Sequence, residues 1–314
     1  ITDTGALLGR VLFYDTNLSS NNTVSCATCH QQRLAFSDSN SVSTGVNGAT
    51  GRHSMRHVNA RFADEERFFW DERANSLENQ TTQPIQDHNE MGFSGTNGDE
   101  TIDDLITKLS AIGYYQDLFR MVYGDSTITE VRMPHALAQF IRSIQSFDSK
   151  YDTGRAAAGN DQADFSNFTA EENAGKRLFM RRPNQDGAGC ASCHQPPEFD
   201  IRQGSVNNGV IGVVASSDTD ISVTRSPTLR DLVNSSGASN GPLMHDASLS
   251  TLLDVINHYN SGVVDNNGLD DRLEMGNAPQ NLALTEIEKG QLVEFLETLA
   301  GSSVYTDEKW SSPF

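Results

Sequence analysis

The sequence predicts a mainly α-helical protein built from two similar domains with long loops and few short strands. Apolar residues recur at helical spacing, strand-like alternation is rare, and one arrangement of residues occurs twice along the 314-residue chain. Hydrophobic residues make up 36% of the chain, enough for one large or two ordinary domains. We expect an N-terminal domain over 1–150, a linker over 151–168 and a C-terminal domain over 169–314.

One segment of the first half has a counterpart in the second. Residues 9–13 (GRVLF) close a short amphipathic helix that we expect to begin near Ala6, and residues 175–179 (GKRLF) close another that begins near Thr169. Each segment is followed at a similar distance by a pair of cysteines. A repeated segment of this kind predicts two structural units of the same type.

Capping residues and apolar spacing predict two further helices. One extends over 129–148 and connects the N-terminal domain to the linker. The other opens with a capping box formed by Thr285 and Glu288 and stops at Gly301. The stretch 206–224 is polar and has little periodicity, so we expect a surface loop there.

The charge balance of the chain is strongly acidic. With 23 Lys and Arg against 42 Asp and Glu, the net charge is −19. A polyanion without a basic run repels phosphate backbones, which argues against nucleic-acid binding. No apolar stretch approaches the roughly 18 residues of a membrane span. The chain starts at Ile1 in polar sequence, so we expect that any signal peptide has been removed or is left out of this sequence.

All four cysteines lie in two copies of the pattern Cys-x-x-Cys-His. The residues are Cys26, Cys29 and His30 in the first copy and Cys190, Cys193 and His194 in the second. This is the attachment motif of c-type haem, in which both thiols form thioethers with the vinyl groups and the next imidazole binds the iron. Two copies predict two covalently bound haems, with His30 and His194 as proximal ligands. Since such haems are attached outside the cytoplasm, we expect a periplasmic protein.

Three other uses of the cysteines are open from the pattern alone. The two pairs could share a structural zinc ion, act as thioredoxin-like dithiols or close two short disulfides. The pairs stand far apart in the sequence, and each is followed at once by a histidine. A disulfide across so short a loop would also stabilise the fold little. These features favour haem.

Segments around both motifs resemble the bacterial dihaem cytochrome c peroxidases, a family that includes the MauG enzymes. The matching stretches, in chain order, are 8–19, 26–30, 69–80, 84–92, 190–194, 227–230, 245–246, 251–252 and 295–299. They span nearly the whole chain. The resemblance implies two cytochrome c-like haem domains, in which the N-terminal haem reacts with peroxide and the C-terminal haem relays electrons.

Four residues match positions near the peroxide-reacting haem of that family. Glu90 matches the distal carboxylate, which can take a proton from hydrogen peroxide and return it to the leaving oxygen. Gln80 and Pro84 match positions that border the same pocket, where a proline keeps the wall stiff and apolar. Trp70 matches a tryptophan near the path between the haems and is expected to assist electron transfer.

The sequence departs from the family pattern at two places, one that concerns the distal side of the N-terminal haem and one that concerns a calcium site. Many members hold a distal histidine in the loop that corresponds to 39–51, and this loop contains none here. We therefore expect an open, five-coordinate N-terminal haem. His53 stands where the family has a calcium-binding asparagine, whereas Asn240 and Pro242 match carbonyl ligands of the same ion. Calcium at Asn240 and Pro242 is a hypothesis on this basis.

The sequence leaves the second axial ligand of the C-terminal haem open. The axial methionine of the family aligns with Tyr259, and MauG enzymes have tyrosine at this place; Met275 and Met244 are the alternatives. A phenolate stabilises ferric iron, whereas a thioether favours ferrous iron. MauG enzymes also have a tryptophan where this chain has Ala188. The alanine argues against oxidation of a partner protein by the MauG route.

Three functions follow from this resemblance. The first is reduction of hydrogen peroxide to water with electrons from a small periplasmic cytochrome c or copper protein, for which the acidic charge favours a basic donor. The second is a MauG-like oxidation of a side chain in a partner protein. The third is a dihaem electron carrier without turnover, for which Glu90 would be superfluous. A homodimer is the oligomeric state to be tested.

Overall fold

The computed structural model describes residues 1–63, 66–225 and 227–314. Within these ranges the protein is mainly helical, which confirms the predicted class. The α-helices are, in order, α1 (Asp3–Tyr14), α2 (Cys26–Cys29), α3 (Leu77–Thr82), α4 (Ile102–Ser110), α5 (Gly113–Tyr123), α6 (Arg132–Ser143), α7 (Lys150–Ala158), α8 (Ala170–Met180), α9 (Leu252–Asn257) and α10 (Glu286–Glu297). Two short strands, β1 (His194–Gln195) and β2 (Asp200–Ile201), pair antiparallel.

The predicted capping box at Thr285 lies at the start of its helix, and a second box lies where a helix was expected to begin near Thr169. Thr169 and Glu172 form a capping box at the start of α8, and Thr285 and Glu288 form one at the start of α10. In each box the threonine hydroxyl and the glutamate carboxylate accept backbone N–H groups that the helix leaves free. Helix α1 begins before Ala6 because Thr2 caps it.

Two helix pairs form the cores, α1 with α6 and α8 with α10. Both pairs cross at a glycine of the repeated segments. A Cβ on Gly9 would lie 1.9 Å from the carbonyl oxygen of Ala136, and a Cβ on Gly175 would lie 1.8 Å from that of Gln291. No side chain fits at either crossing, so these two glycines set the spacing of the helices.

A trio of buried phenylalanines fills each core. The trios are Phe13, Phe36 and Phe140 in the first half and Phe179, Phe199 and Phe295 in the second. The rings of Phe13 and Phe140 have centroids 5.0 Å apart at an interplanar angle of 56°, and those of Phe179 and Phe295 are 5.2 Å apart at 56°. The repeat recognised in the sequence therefore extends to the packing of the cores.

Helix α10 ends at Glu297 rather than at the predicted Gly301. Two other predicted segments differ from the observed elements. The helix expected over 129–148 is shorter, because the chain turns to extended conformation at Ile144, the C-cap of α6. The segment 151–168, expected as a linker, contains most of α7, and Tyr151 and Phe165 are fully buried in the second core. The division into domains itself stays a prediction.

No helix among the described residues is both long enough and apolar enough to span a membrane.

Candidate haem sites

Both cysteine motifs form tight turns. Cys26–Cys29 forms α2, and the backbone N of His30 donates to the carbonyl oxygen of Cys26 at 2.9 Å. Cys190–Ser192 forms a single 3₁₀ turn. None of the four cysteines forms a disulfide. Burial raises the pKa of the Cys26 and Cys190 thiols to about 12, so neither has the low pKa of a reactive redox dithiol.

The two motif histidines are oriented in the same way. Nδ1 of His30 lies 3.3 Å from the carbonyl oxygen of Phe36, and Nδ1 of His194 lies 3.2 Å from that of Phe199. Because a carbonyl oxygen only accepts, Nδ1 carries the proton and Nε2 keeps its lone pair for iron. Burial lowers the pKa of both imidazoles to about 4, so both are neutral, the form that binds a metal.

Both accepting phenylalanines have a left-handed backbone, with φ of 61° at Phe36 and 56° at Phe199. Few residues other than glycine adopt this conformation. Each side chain is fully buried in its core, so ring packing holds the backbone that aims the carbonyl at the imidazole. The sequence analysis missed both residues; the available signal was an aromatic residue five or six positions after each motif histidine.

A cavity of about 280 Å³ reaches His30 and brings together the predicted peroxide-site residues. Gln80, Pro84 and Glu90 line it, and Gln80 comes from the buried face of α3. The same three residues line an adjoining cavity with the cysteines of the first motif. From the loop 39–51, a threonine and a glycine reach the lining of the larger cavity.

Glu90 supplies this cavity with a carboxyl group that titrates near neutrality. Burial raises its pKa to about 7, the negative charge of Asp87 adds to the rise, and Arg73 opposes it. The backbone N of Glu90 donates to Oδ1 of Asp87 at 3.1 Å, which keeps this second carboxylate close. A group with a pKa near the working pH can both accept and return a proton.

Trp70 connects the two halves of the molecule. Its Nε1 donates to the carbonyl oxygen of His53 at 2.8 Å. Its own carbonyl oxygen accepts from the backbone N of Thr224 at 2.9 Å and of Arg225 at 3.0 Å. The indole lines the first cavity and also a second one, where its ring centroid lies 6.3 Å from that of His245. Trp70 therefore lies between the two cavities.

The second cavity contains two of the three candidate axial ligands. Tyr259 and Met244 line it together with His194. Met275 is 45% exposed and is not part of the lining. Ala188 is buried in the second core rather than in this cavity.

The hydroxyl of Tyr259 has a specific partner. Tyr259 lies in the π-helical turn His258–Gly262, and its hydroxyl oxygen accepts from Nδ2 of Asn208 at 3.1 Å. Burial raises the pKa of Tyr259, whereas the hydrogen bond from Asn208 lowers it. The same amide nitrogen lies 3.8 Å from the sulfur of Met244, so one side chain contacts both candidates.

The residues proposed for calcium lie beside the second cavity. Pro242 lines it, and Asn240 is fully buried, with its amide nitrogen donating to the hydroxyl of Tyr305 at 2.8 Å. Nδ1 of the buried His53 lies 2.9 Å from the carbonyl oxygen of Asn40 and therefore carries a proton. Among the described residues, no group of three or more His, Cys, Asp or Glu forms a metal site. Calcium binding stays a prediction.

Known proteins match this chain over most of its length. The family profile described as di-haem cytochrome c peroxidase matches residues 3–162. A methylamine utilization protein MauG from Methylophilus methylotrophus is 30% identical over 95% of this chain and 83% of its own length. The chain belongs to the dihaem cytochrome c peroxidase and MauG family.

Other members show the breadth of this family. A cytochrome c551 peroxidase from Nitrosomonas europaea is 24% identical over 94% of this chain and 80% of its own length. The solved structure of a MauG-like protein associated with microbial copper homeostasis has a TM-score of 0.77 and 26% identity, and the match covers 100% of this chain and 94% of that one. The resemblance noted in the sequence is therefore confirmed.

Membership in a dihaem cytochrome family implies haem cofactors, and the residues of this chain fit them. Each motif offers two cysteine side chains and an imidazole whose Nε2 is available.

Two residues beside these sites were given no role from the sequence alone. His57 stacks on His30 with ring centroids 3.9 Å apart, and Arg56 lines both cavities.

Proposed function

We propose that this protein is a periplasmic dihaem c-type peroxidase that reduces hydrogen peroxide to water. Cys26 and Cys29 would bind the N-terminal haem, and Cys190 and Cys193 the C-terminal one. The observation that carries the proposal is the placement of the partly buried Glu90 in the lining of the cavity that reaches His30, where burial raises its pKa to about 7. An electron carrier without turnover has no use for such a group.

The overall reaction takes one hydrogen peroxide, two electrons and two protons to two waters. Haem iron supplies the site where peroxide binds and its O–O bond is reduced. Glu90 would take a proton from one peroxide oxygen and give it to the other, which would then leave as water. Gln80 and Pro84 form the wall of the cavity and keep this proton transfer local.

The electrons enter through the C-terminal haem in this proposal. Trp70 lies between the cavities, and its ring is fixed at Nε1 by the carbonyl oxygen of His53. The oxidisable indole shortens the distance over which electrons tunnel from one site to the other. A small basic cytochrome c or copper protein fits the net charge of −19 as the donor.

Steady-state peroxide turnover with reduced cytochrome c tests this proposal. Glu90→Gln removes the proton carrier and keeps the size of the side chain, so we expect turnover to fall by about 100-fold or more. Glu100→Gln is the matched control, because Glu100 is an exposed carboxylate of the same half. Equal turnover in the two variants would remove Glu90 from the reaction.

A MauG-like oxidation of a partner protein is the second candidate function. The placement of Tyr259 in the cavity of His194, together with the MauG relative, favours it. Ala188, which stands where MauG enzymes have tryptophan, argues against it. Intact-mass analysis of candidate periplasmic partners after peroxide treatment separates the two functions, since only this one leaves a partner covalently changed.

A further inference from the structure

Arg56 is a buried arginine without a counter-ion among the described residues. The residue is 7% exposed, and its Nε is buried without a hydrogen-bond partner in the described part of the chain. Burial lowers the pKa of Arg56, and the negative charge of Asp231 acts in the opposite direction. A buried guanidinium without a partner costs several kcal/mol. Within the described part of the chain, Arg56 is therefore a buried cation without a bonded anion.

Asp231 is the acidic residue that acts on Arg56, but it does not pair with it. Oδ1 of Asp231 accepts from the backbone N of Gly301 at 2.8 Å and from the hydroxyl of Tyr305 at 3.2 Å. Oδ2 of Asp231 is buried and makes no hydrogen bond with the described residues. The two opposite charges therefore attract each other without a hydrogen bond, and the Nε donor of Arg56 stays unused among the described residues.

The position of Arg56 indicates what the missing anion is. Its side chain lines the cavity that holds His30 and also the cavity that holds His194. Each c-type haem carries two propionate carboxylates on the edge opposite its thioether bonds. A planar guanidinium binds a carboxylate through two parallel hydrogen bonds, a geometry that an ammonium group cannot reproduce.

We propose that Arg56 binds haem propionate where the two cavities meet and thereby positions the cofactors relative to each other. The inference rests on the two haems of the proposed function but not on peroxide turnover. A cation at this place favours the reduced, more negative state of a nearby haem.

The test uses the haem-loaded protein and three variants. Arg56→Gln removes the charge, and Arg56→Lys keeps the charge without the planar pair of donors. Arg52→Gln is the matched control, because Arg52 also borders the first cavity but already pairs with Asp71 at 2.8 Å and Asp220 at 2.6 Å. The haem content of each protein is counted first, and potentials are then measured by optical redox titration.

Resonance Raman spectra of the propionate bending modes give a readout that peroxide turnover does not influence. In Arg56→Gln we expect a shifted propionate band and a lower reduction potential for at least one haem. Arg56→Lys should shift the band while its potentials stay closer to the wild type, and Arg52→Gln should leave the band unchanged. Unchanged bands and potentials in Arg56→Gln would overturn the inference. If that variant does not retain both haems, an unchanged band in Arg56→Lys overturns it.

Discussion

The N-terminal half (1–150) and the C-terminal half (151–314) share one framework and differ in the residues that face the motif histidine. In both halves, a glycine permits a helix crossing and a phenylalanine carbonyl orients the imidazole. The first cavity contains Glu90, whereas the second contains Tyr259, whose hydroxyl is bound by Asn208. In the proposed function, the repeated framework holds the haems, and the residues that are not repeated decide which reaction each site performs.

The largest expected effect concerns the pH dependence of peroxide turnover, which should depend on Glu90 in the N-terminal half and not on Tyr259 in the C-terminal half. Glu90 acts as a base only when ionised, and burial raises its pKa to about 7. The peroxide rate should therefore fall as the pH drops below about 7, by roughly tenfold per unit, since each unit reduces the ionised fraction tenfold. Glu90→Gln should lose this acid limb, and Tyr259→Phe should keep it. A wild-type rate that stays constant from pH 5 to 8 would contradict this role of Glu90.

The two helix crossings can be disrupted at equivalent glycines, one in each half. Gly9→Ala and Gly175→Ala each place a Cβ within 2 Å of a facing carbonyl oxygen, so the helices must separate. We expect each variant to lose about 2–3 kcal/mol of unfolding free energy, measured by urea titration of the haem-loaded protein. Gly290→Ala in α10 is the control, because its Cβ meets open space and alanine favours a helix by about 1 kcal/mol. Equal losses at all three glycines would refute the account of the crossings.

The sequence predicts those parts of the sites that depend on local patterns. The haem motifs and the capping box at Thr285 are local, and family matching selected Glu90. Helix α7 was missed because its Gly, Ala and Asp content is typical of a loop, while the burial of Tyr151 in the second core stabilises it. The role of Phe36 depends on a left-handed φ, and the role proposed for Arg56 depends on an Nε that has no hydrogen-bond partner among the described residues. Neither property can be recognised from the neighbouring residues in the sequence.

The second axial ligand of the C-terminal haem can be identified by its effect on the reduction potential, which tests whether Tyr259 distinguishes the two halves. If Tyr259 binds as a phenolate, it stabilises ferric iron, so Tyr259→Phe should raise the potential of the C-terminal haem alone. Met244 lines the same cavity and can then be tested by Met244→Leu, which should have little effect. Optical redox titration and the near-infrared spectrum check both variants. A ferric thioether band in the wild type would instead assign a methionine.

The halves also differ in charge. The N-terminal half contains 19 acidic and 12 basic residues, a net charge of −7, whereas the C-terminal half contains 23 and 11, a net charge of −12. Attraction between exposed charges acts over about 30 Å at 0.01 M salt and about 8 Å at 0.15 M. A basic donor should therefore approach the C-terminal half, and its rate should fall as salt is added.

The smallest expected effect comes from neutralising exposed carboxylates in one half at a time. Asp271→Asn with Glu274→Gln changes the C-terminal half, and Asp103→Asn with Asp117→Asn changes the N-terminal half by the same two charges. With a basic cytochrome c at low salt, we expect the first pair to lower kcat/KM about twofold and the second pair to change it less. Both differences should vanish at high salt and with an uncharged reductant. A larger effect of the N-terminal pair would place electron entry on the peroxide side of the molecule and remove the relay through the C-terminal haem.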